Sequence, residues 1–263
     1  MKIHCLIENT STHPQLAAEH GLSLLIETGG HRILFDTGAS AAFAENAAKM
    51  GLDLGSVDSA VISHGHYDHG GGIECFLKIN SHAPVWISPH AFDPHFNAEG
   101  KNIGLPQELS AHPRIHYTPG FVHQLLPGIS LHGGSELVSP YPPENSCMTA
   151  LINNRLQPED FRHEQYMLIE EAGRRVLISG CSHRGVLNIA CHFSPDYLIG
   201  GFHLMKTNPV SDAAHLNQIA TTLLALPTQY YTGHCTGTTC FEVLKKHMGN
   251  RLQAFTTGQT IRI

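Results

Sequence analysis

The stretch "VISHGHYDHGGG", residues 61–72, decides how the rest of the chain is read. An apolar run leads into three histidines and an aspartate within six residues (His64, His66, Asp68 and His69), and three glycines follow. A strand end that only has to pack has no use for this composition. In an extended segment His64 and His66 point to the same side, because strand residues alternate faces. The turn after them redirects Asp68 and His69 toward a neighbouring point. Neutral imidazole nitrogen and carboxylate oxygen are borderline ligands that suit Zn²⁺, and Fe or Mn where carboxylates are richer. The stretch therefore predicts a metal site at the end of a buried strand, with the glycines leaving the space beside it open.

Composition sets the bounds around that site. The chain has 263 residues, 41% of them hydrophobic and only 14% charged, which suits a compact protein rather than a disordered one. A net charge of −6 and the lack of any Lys/Arg block argue against nucleic acid as a partner. Seven cysteines without paired spacing imply free thiols in a reducing compartment. No apolar stretch approaches the ~18 residues of a membrane span. The opening "MKIHCLIENTSTHP" reads as a first strand rather than an export signal, so the expected location is the cytoplasm.

Working outward, strands are expected over 2–8, 22–27 and 31–35, then an alanine-rich helix in "ASAAFAENAAKMG". "DSAVIS" is a buried strand, a helix follows around 72–79, and "APVWIS" is another strand. From about 90 to 160 prolines, glycines and histidines break the pattern, with strand candidates only in "GISLHG" and "CMTALIN". Regularity returns with the two strands of "QYMLIEEAGRRVLISG". A helix near 185–192, "DYLIGG", the helix "DAAHLNQIATTLLAL", "QYYTG" and the helix "TGTTCFEVLKKHMG" complete the chain. This alternation predicts an α/β protein of mixed sheets covered by helices. A single domain over 1–263 is expected, with an irregular inserted segment at about 90–160. No nucleophile elbow, phosphate loop or dinucleotide fingerprint is present.

"SHGHYDHGGG" resembles the HxHxDH signature of the metallo-β-lactamase superfamily. Other marks fall in the same order: "FDTG" at 35–38, "LISGC" ending at Cys181, and "TGHCTG" with His234. "GCSHRGVLNI", "GGFHL" and "GHCTG" are similar to the subgroup that includes 7,8-dihydropterin-6-methyl-4-(β-D-ribofuranosyl)-aminobenzene-5′-phosphate synthase. The resemblance implies an αββα sandwich, two mixed sheets flanked by helices, and two divalent metal ions, zinc first with manganese or iron as alternatives. One ion would take His64, His66 and His163. The other would take Asp68, His69, His234 and Cys181, with Asp36 supporting a ligand from behind.

The third motif departs from the superfamily pattern. "EDFRHEQYMLI" stands where a histidine loop is usual, and His163 is the ligand chosen there, 18 positions before Cys181. His183 competes for that role. In an extended chain it shares a face with Cys181; otherwise it is a substrate-contacting or catalytic proton-transfer residue. His203 is placed at the substrate pocket. The implied activity is a metal-dependent hydrolase in which metal-activated water attacks a small ester or phosphoester, phosphorylated or pterin-like, with Asp68 orienting the nucleophile. A non-catalytic ligand-binding member and a di-iron redox enzyme are the alternatives.

The partner expected is a small molecule, with no nucleic acid and no membrane, and a homodimer is left open. Cys235 is expected to be buried, and Cys5, Cys75, Cys147, Cys191 and Cys240 to pack. The histidines at 90, 95, 112, 116, 123 and 132 are expected mostly at the surface, with room for a loop to bring one inward. Glu136 and Asn145 are polar candidates by position alone.

Overall fold

The computed structural model describes residues 1–138, 140–142 and 147–263, so Asn145 lies outside the described residues, as does the side chain of Glu136. Short apolar runs in "SLLIET" and "HRILF" form the antiparallel strands Ser23–Thr28 and His31–Phe35, paired Leu24 to Phe35 and Ile26 to Ile33. Gly29 and Gly30 join them, both at positive φ (55° and 82°), as a two-residue hairpin turn of this hand requires. The strand Ser59–Val61 then pairs parallel to His31–Phe35, with Phe35 opposite Val61. That register brings the residues after Phe35 and after Val61 to one edge of the sheet.

By internal contacts the chain forms two compact units. The first comprises residues 1–120, 147–165 and 256–263. Its seven-stranded sheet runs in the order Thr260–Arg262, Lys2–Ile7, Ser23–Thr28, His31–Phe35, Ser59–Val61, Val85–Ile87 and Ile115–Tyr117. The helices Ala42–Lys49 and Ile73–Ile79 cover one face, placing Phe43, Ala47, Ile73 and Phe76 in a core with Leu25, Leu34, Ala60 and Val85. Each large apolar side chain so buried contributes about 1.5–3 kcal/mol. Leu24, Ile26, Ile33, Phe35 and Val61 on the alternate positions are fully buried as well. Both faces of these strands are therefore covered, which is why they read as continuous apolar runs.

The second unit comprises residues 121–146 and 166–255. Its sheet runs Leu252–Ala254, Gln229–Thr232, Tyr197–Ile199, Arg174–Ile178, Gln165–Glu171, Ile129–Gly133 and Val122–Leu126. Arg174–Ile178, Tyr197–Ile199 and Gln229–Thr232 are parallel and in step, Ile178 beside Ile199 beside Tyr231. The helices Val186–Phe193, Ala213–Ala225 and Thr238–Met248 pack Leu187, Leu216, Leu223, Leu244 and Met248 against Leu177, Leu198 and Tyr230. No described helix is long and apolar enough to cross a membrane.

The segment 90–160 is more regular than its composition suggests. Residues 90–120 and 147–160 fall in the first unit and 121–146 in the second. It contains His95–Phe96, which joins Thr149–Ile152 and Arg155–Pro158 in a small sheet, and the strands Ile115–Tyr117 and Val122–Leu126. These strands are two to five residues long and mostly half-exposed or exposed, so no alternation of apolar residues announces them.

Candidate metal centre

The edge set by the Phe35–Val61 register carries a buried proton network. Asp36 adopts the left-handed region at φ 60°, uncommon for a residue with a side chain and characteristic of functional positions. Its Oδ1 accepts the Ser63 backbone N–H at 2.7 Å, and its Oδ2 accepts the Ser63 hydroxyl at 2.8 Å. His69 Nδ1 lies 2.6 Å from the same Oδ2. A carboxylate only accepts, so His69 carries its proton on Nδ1 and the lone pair on Nε2. The Ser63 hydroxyl spends its one proton on Asp36, so at 2.8 Å it accepts from His64 Nδ1. His64 therefore also presents its lone pair at Nε2. Asp36 and Ser63 together fix two imidazoles in the tautomer that binds metal.

The residue between the first two histidines is glycine for a steric reason: a Cβ on Gly65 would run into the carbonyl of Ala91. The short helix Tyr67–Gly70 then carries Asp68 and His69. Thr37 holds the carbonyl of His69 through its backbone N–H at 2.7 Å and its hydroxyl at 3.1 Å, tying "FDTG" to the histidine turn. Asp68 is buried, and His20 Nε2 approaches its Oδ2 at 3.3 Å. The rings of His64 and His66 lie 4.7 Å apart, those of His64 and His69 4.2 Å apart, centre to centre.

His163 joins the same unit, its ring centre 5.1 Å from His66 and 5.8 Å from His64. It is fully buried, as a ligand would be and a solvent-facing strand start would not. Gly65 donates its backbone N–H to His163 Nδ1 at 2.8 Å. His95 stacks on His163 with ring centres 4.0 Å apart, and its Nδ1 lies 2.8 Å from Glu159 Oε2. The other Glu159 oxygen, Oε1, lies 3.5 Å from His163 Nε2. The ligand atoms of His66, His95, Glu159 and His163 all lie within 4.8 Å of one another. Burial, and then the neighbouring His95, push the His163 imidazole down to about 4. Burial and His163 hold His66 well below its ordinary value. Burial raises Glu159, but hydrogen bonds from His163 and His95 outweigh it and hold the carboxylate well below its usual range. Burial thus favours the neutral form of His66 and His163 beside one carboxylate, the protonation state metal ligands need.

In the second unit the ends of the three parallel strands converge. Cys181 follows Arg174–Ile178, His203 follows Tyr197–Ile199, and His234 follows Gln229–Thr232. Cys181, His183 and His203 form one group of ligand atoms within 4.8 Å, and Cys181, His234 and Cys235 another. The rings of His183 and His203 are 4.2 Å apart. Ser182, His203 and His234 all sit at positive φ (60°, 55° and 47°). Cys235 is buried as expected, donates to the Cys181 carbonyl at 3.4 Å and accepts the His203 backbone N–H at 3.3 Å. Burial raises its thiol, yet the contacts with Cys181, His203 and the nearby His234 hold it well below its ordinary value.

Of the residues expected at a site, His64, His66, Asp68, His69 and His163 meet in the first unit with Asp36 behind them. Cys181, His183, His203 and His234 meet in the second. Ser63, His95, Glu159 and Cys235 were missed or set aside. Ser63 carried a signal, adjacency to the histidine stretch, and Glu159 another, four residues before His163. His95 is the histidine of the irregular segment that turns inward; His116 is exposed and His90, His112, His123 and His132 are partly so. Of the five cysteines assigned to packing, Cys5 and Cys240 are buried and Cys75 partly buried. Cys147 and Cys191 are exposed, a correction to that reading, because both lie where no core element covers them.

Comparison with known proteins agrees with this fold. Residues 17–146 match the family model of the metallo-beta-lactamase superfamily. A curated relative from Methanocaldococcus jannaschii, 7,8-dihydropterin-6-methyl-4-(beta-D-ribofuranosyl)-aminobenzene-5′-phosphate synthase, is 28% identical over 90% of this chain and 88% of its own. The solved structure of Tm1679, described as a metal-dependent hydrolase of the beta-lactamase superfamily, is 27% identical and superposes with a TM-score of 0.86, covering 100% of this chain and 99% of that one. Zn²⁺-bound PqqB from Methylobacterium extorquens, 12% identical with a TM-score of 0.61 over both full chains, shares the fold alone. The chain therefore has the metallo-β-lactamase fold, and its resemblance to that superfamily, and within it to the dihydropterin-derived phosphate synthase, runs through nine-tenths of its length.

Proposed function

We propose that this protein is a metal-dependent hydrolase of small ester or phosphoester substrates, working as one catalytic domain. The observation that carries the reading is the Asp36–Ser63 network, which sets both His64 and His69 with the proton on Nδ1 and the lone pair on Nε2. Packing alone gives no reason to fix two adjacent imidazoles in one tautomer. The donor set also fits a divalent transition ion: imidazole nitrogens with carboxylates nearby, and the buried Nε2 of His95 without a hydrogen-bond partner among the described residues.

His64, His66, Asp68 and His69, with an imidazole of the pocket around His66, are the proposed ligands in the first unit. Cys181 and His234 are carried forward as ligands on the strength of the motif resemblance. Two divalent ions, zinc before manganese or iron, would supply Lewis acidity and a water acidic enough to ionise near neutral pH. The protein's own groups position and move protons. Asp68 orients the attacking water through its carboxylate, His183 transfers a proton to the leaving group, and His203 contacts substrate.

The name of the archaeal relative, a synthase of a dihydropterin-derived phosphate, supports a phosphorylated or pterin-like substrate. The net charge of −6 disfavours a polyanionic partner, and the proposed setting is cytoplasmic, with a homodimer allowed. The test is metal content by elemental analysis, with turnover on ester, phosphodiester and lactone panels, for wild type and Asp68→Asn. Near two ions per chain in wild type, with turnover lost and the ion that Asp68 would hold weakened in Asp68→Asn, is the expected result. Bound metal without turnover on any panel would make it a ligand-binding member of the fold. Absence of metal after reconstitution would overturn the reading.

A further inference from the structure

His95 and Glu159 belong to no motif of the superfamily signature, yet their side chains are almost fully buried. His95 Nδ1 is committed to Glu159 Oε2 at 2.8 Å, and because a carboxylate only accepts, that nitrogen carries the proton. The lone pair is then on Nε2, which is buried with no hydrogen-bond partner among the described residues. Protonating the ring does not relieve this; it turns an unsatisfied acceptor into an unsatisfied donor. A buried polar atom left so costs stability that a purely structural pair has no reason to spend.

His163 has the opposite arrangement. The Gly65 N–H at 2.8 Å makes Nδ1 an acceptor, and a flipped ring would set a C–H against that N–H. A neutral His163 therefore carries its proton on Nε2, facing Glu159 Oε1 at 3.5 Å. The two Glu159 oxygens serve two stacked rings, and of the two only His95, its ring centre 5.5 Å from that of His66, keeps a lone pair with no hydrogen bond to it.

We propose that His95 is a metal ligand through Nε2, completing the site beside His66 for a divalent transition ion, and that Glu159 and His163 are positioning residues. Glu159 fixes the His95 tautomer, and His163 holds Glu159 through its Nε2–H. The inference rests on the metal-site reading above and deepens it: the third nitrogen comes from the irregular segment rather than from the third motif.

The test uses the full chain, stripped by chelator and titrated with Co²⁺ and Zn²⁺, with His95→Gln, Glu159→Gln, His163→Gln and His66→Gln beside wild type. His95→Gln should lose one equivalent of ion or weaken it about 100-fold, with a changed Co²⁺ visible spectrum. Glu159→Gln should weaken it about 10–100-fold, as removal of a ligand's carboxylate partner commonly does. His163→Gln should keep the stoichiometry and lose less than about tenfold. Long-range ¹H–¹⁵N spectra of Zn²⁺-loaded wild type need no variant to fold, and should show His95 bound through Nε2 and His163 protonated there. A metal-bound His163 Nε2 with an unshifted His95, or His95→Gln titrating like wild type, would overturn the proposal. If wild type binds no ion, the broader metal reading fails; if it binds through His66 without His95, this inference alone fails.

Discussion

Asp36 Oδ2 lies 2.6 Å from His69 Nδ1, both residues fully buried, with Asp36 held in a left-handed backbone conformation. The carboxylate also receives two bonds from Ser63. Removing it leaves three donors without an acceptor in the interior. Asp36→Ala should cost about 3–5 kcal/mol, the usual penalty for breaking a buried charged network from one side. Urea denaturation of the metal-free protein measures this. The milder Asp36→Asn, which keeps the volume, should fold and bind metal about 10–100-fold more weakly. An unchanged urea midpoint and metal affinity in both variants would show that the network positions nothing.

Gly65 is the hinge between His64 and His66, and its space is taken by the Ala91 carbonyl. Gly65→Ala forces that segment and the histidine turn apart. A destabilisation of about 1–3 kcal/mol follows from overpacking. The same displacement should disturb the N–H that His163 accepts, so metal affinity falls with stability. Thermal unfolding and metal titration on one preparation would separate the two, and normal affinity at lowered stability would place the histidine turn outside the strain.

The fold was legible wherever burial imposes a period. The strands around Leu25, Leu34 and Leu177, and the helices of Phe43 and Leu216, follow directly from apolar spacing because each faces a core. His64, His66, Asp68 and His69 were legible because four potential ligands fall in one local turn. His95 and Glu159 were not. They lie 64 positions apart in short, half-exposed elements, and only the pairing of Thr149–Ile152 with His95–Phe96 brings their segments together. A one-dimensional pattern holds no trace of such a non-local pair. Cys147 and Cys191 were misread for a related reason: a lone cysteine carries no sign of whether an element covers it.

Those two thiols give a direct check. Of the seven free cysteines only Cys147 and Cys191 are exposed. A disulfide reagent should label about two thiols quickly in the native protein and all seven after unfolding. Cys147 should react before Cys191, whose thiol is raised by partial burial and so holds less thiolate at a given pH. Cys235 should stay protected despite its lowered thiol, because reagent cannot reach a buried sulfur. Labelling of Cys235 in the first phase, located by mass spectrometry, would contradict the burial.

The stability of the metal-free protein should fall as the pH drops from about 7 to 5. His163 is pushed from 6.5 down to about 4 by burial and by His95. Between those values the unfolded chain takes up a proton that the folded chain refuses, so stability rises with pH across the window. The contribution is complete above about 6.5, is lost as the pH falls toward 4, and amounts to about 3 kcal/mol for this one group. His66 is shifted in the same direction and steepens the loss. Glu159 acts in a different range. Its depressed carboxylate stabilises the fold above its ordinary value of 4.5, and that share is lost only at still lower pH. Urea midpoints at pH 7, 6 and 5 should therefore decline, and His163→Gln should flatten the curve. A midpoint that holds steady or rises toward pH 5 would mean that the imidazoles around His66 accept protons in the folded state, and that the cluster is more open to water than its burial indicates.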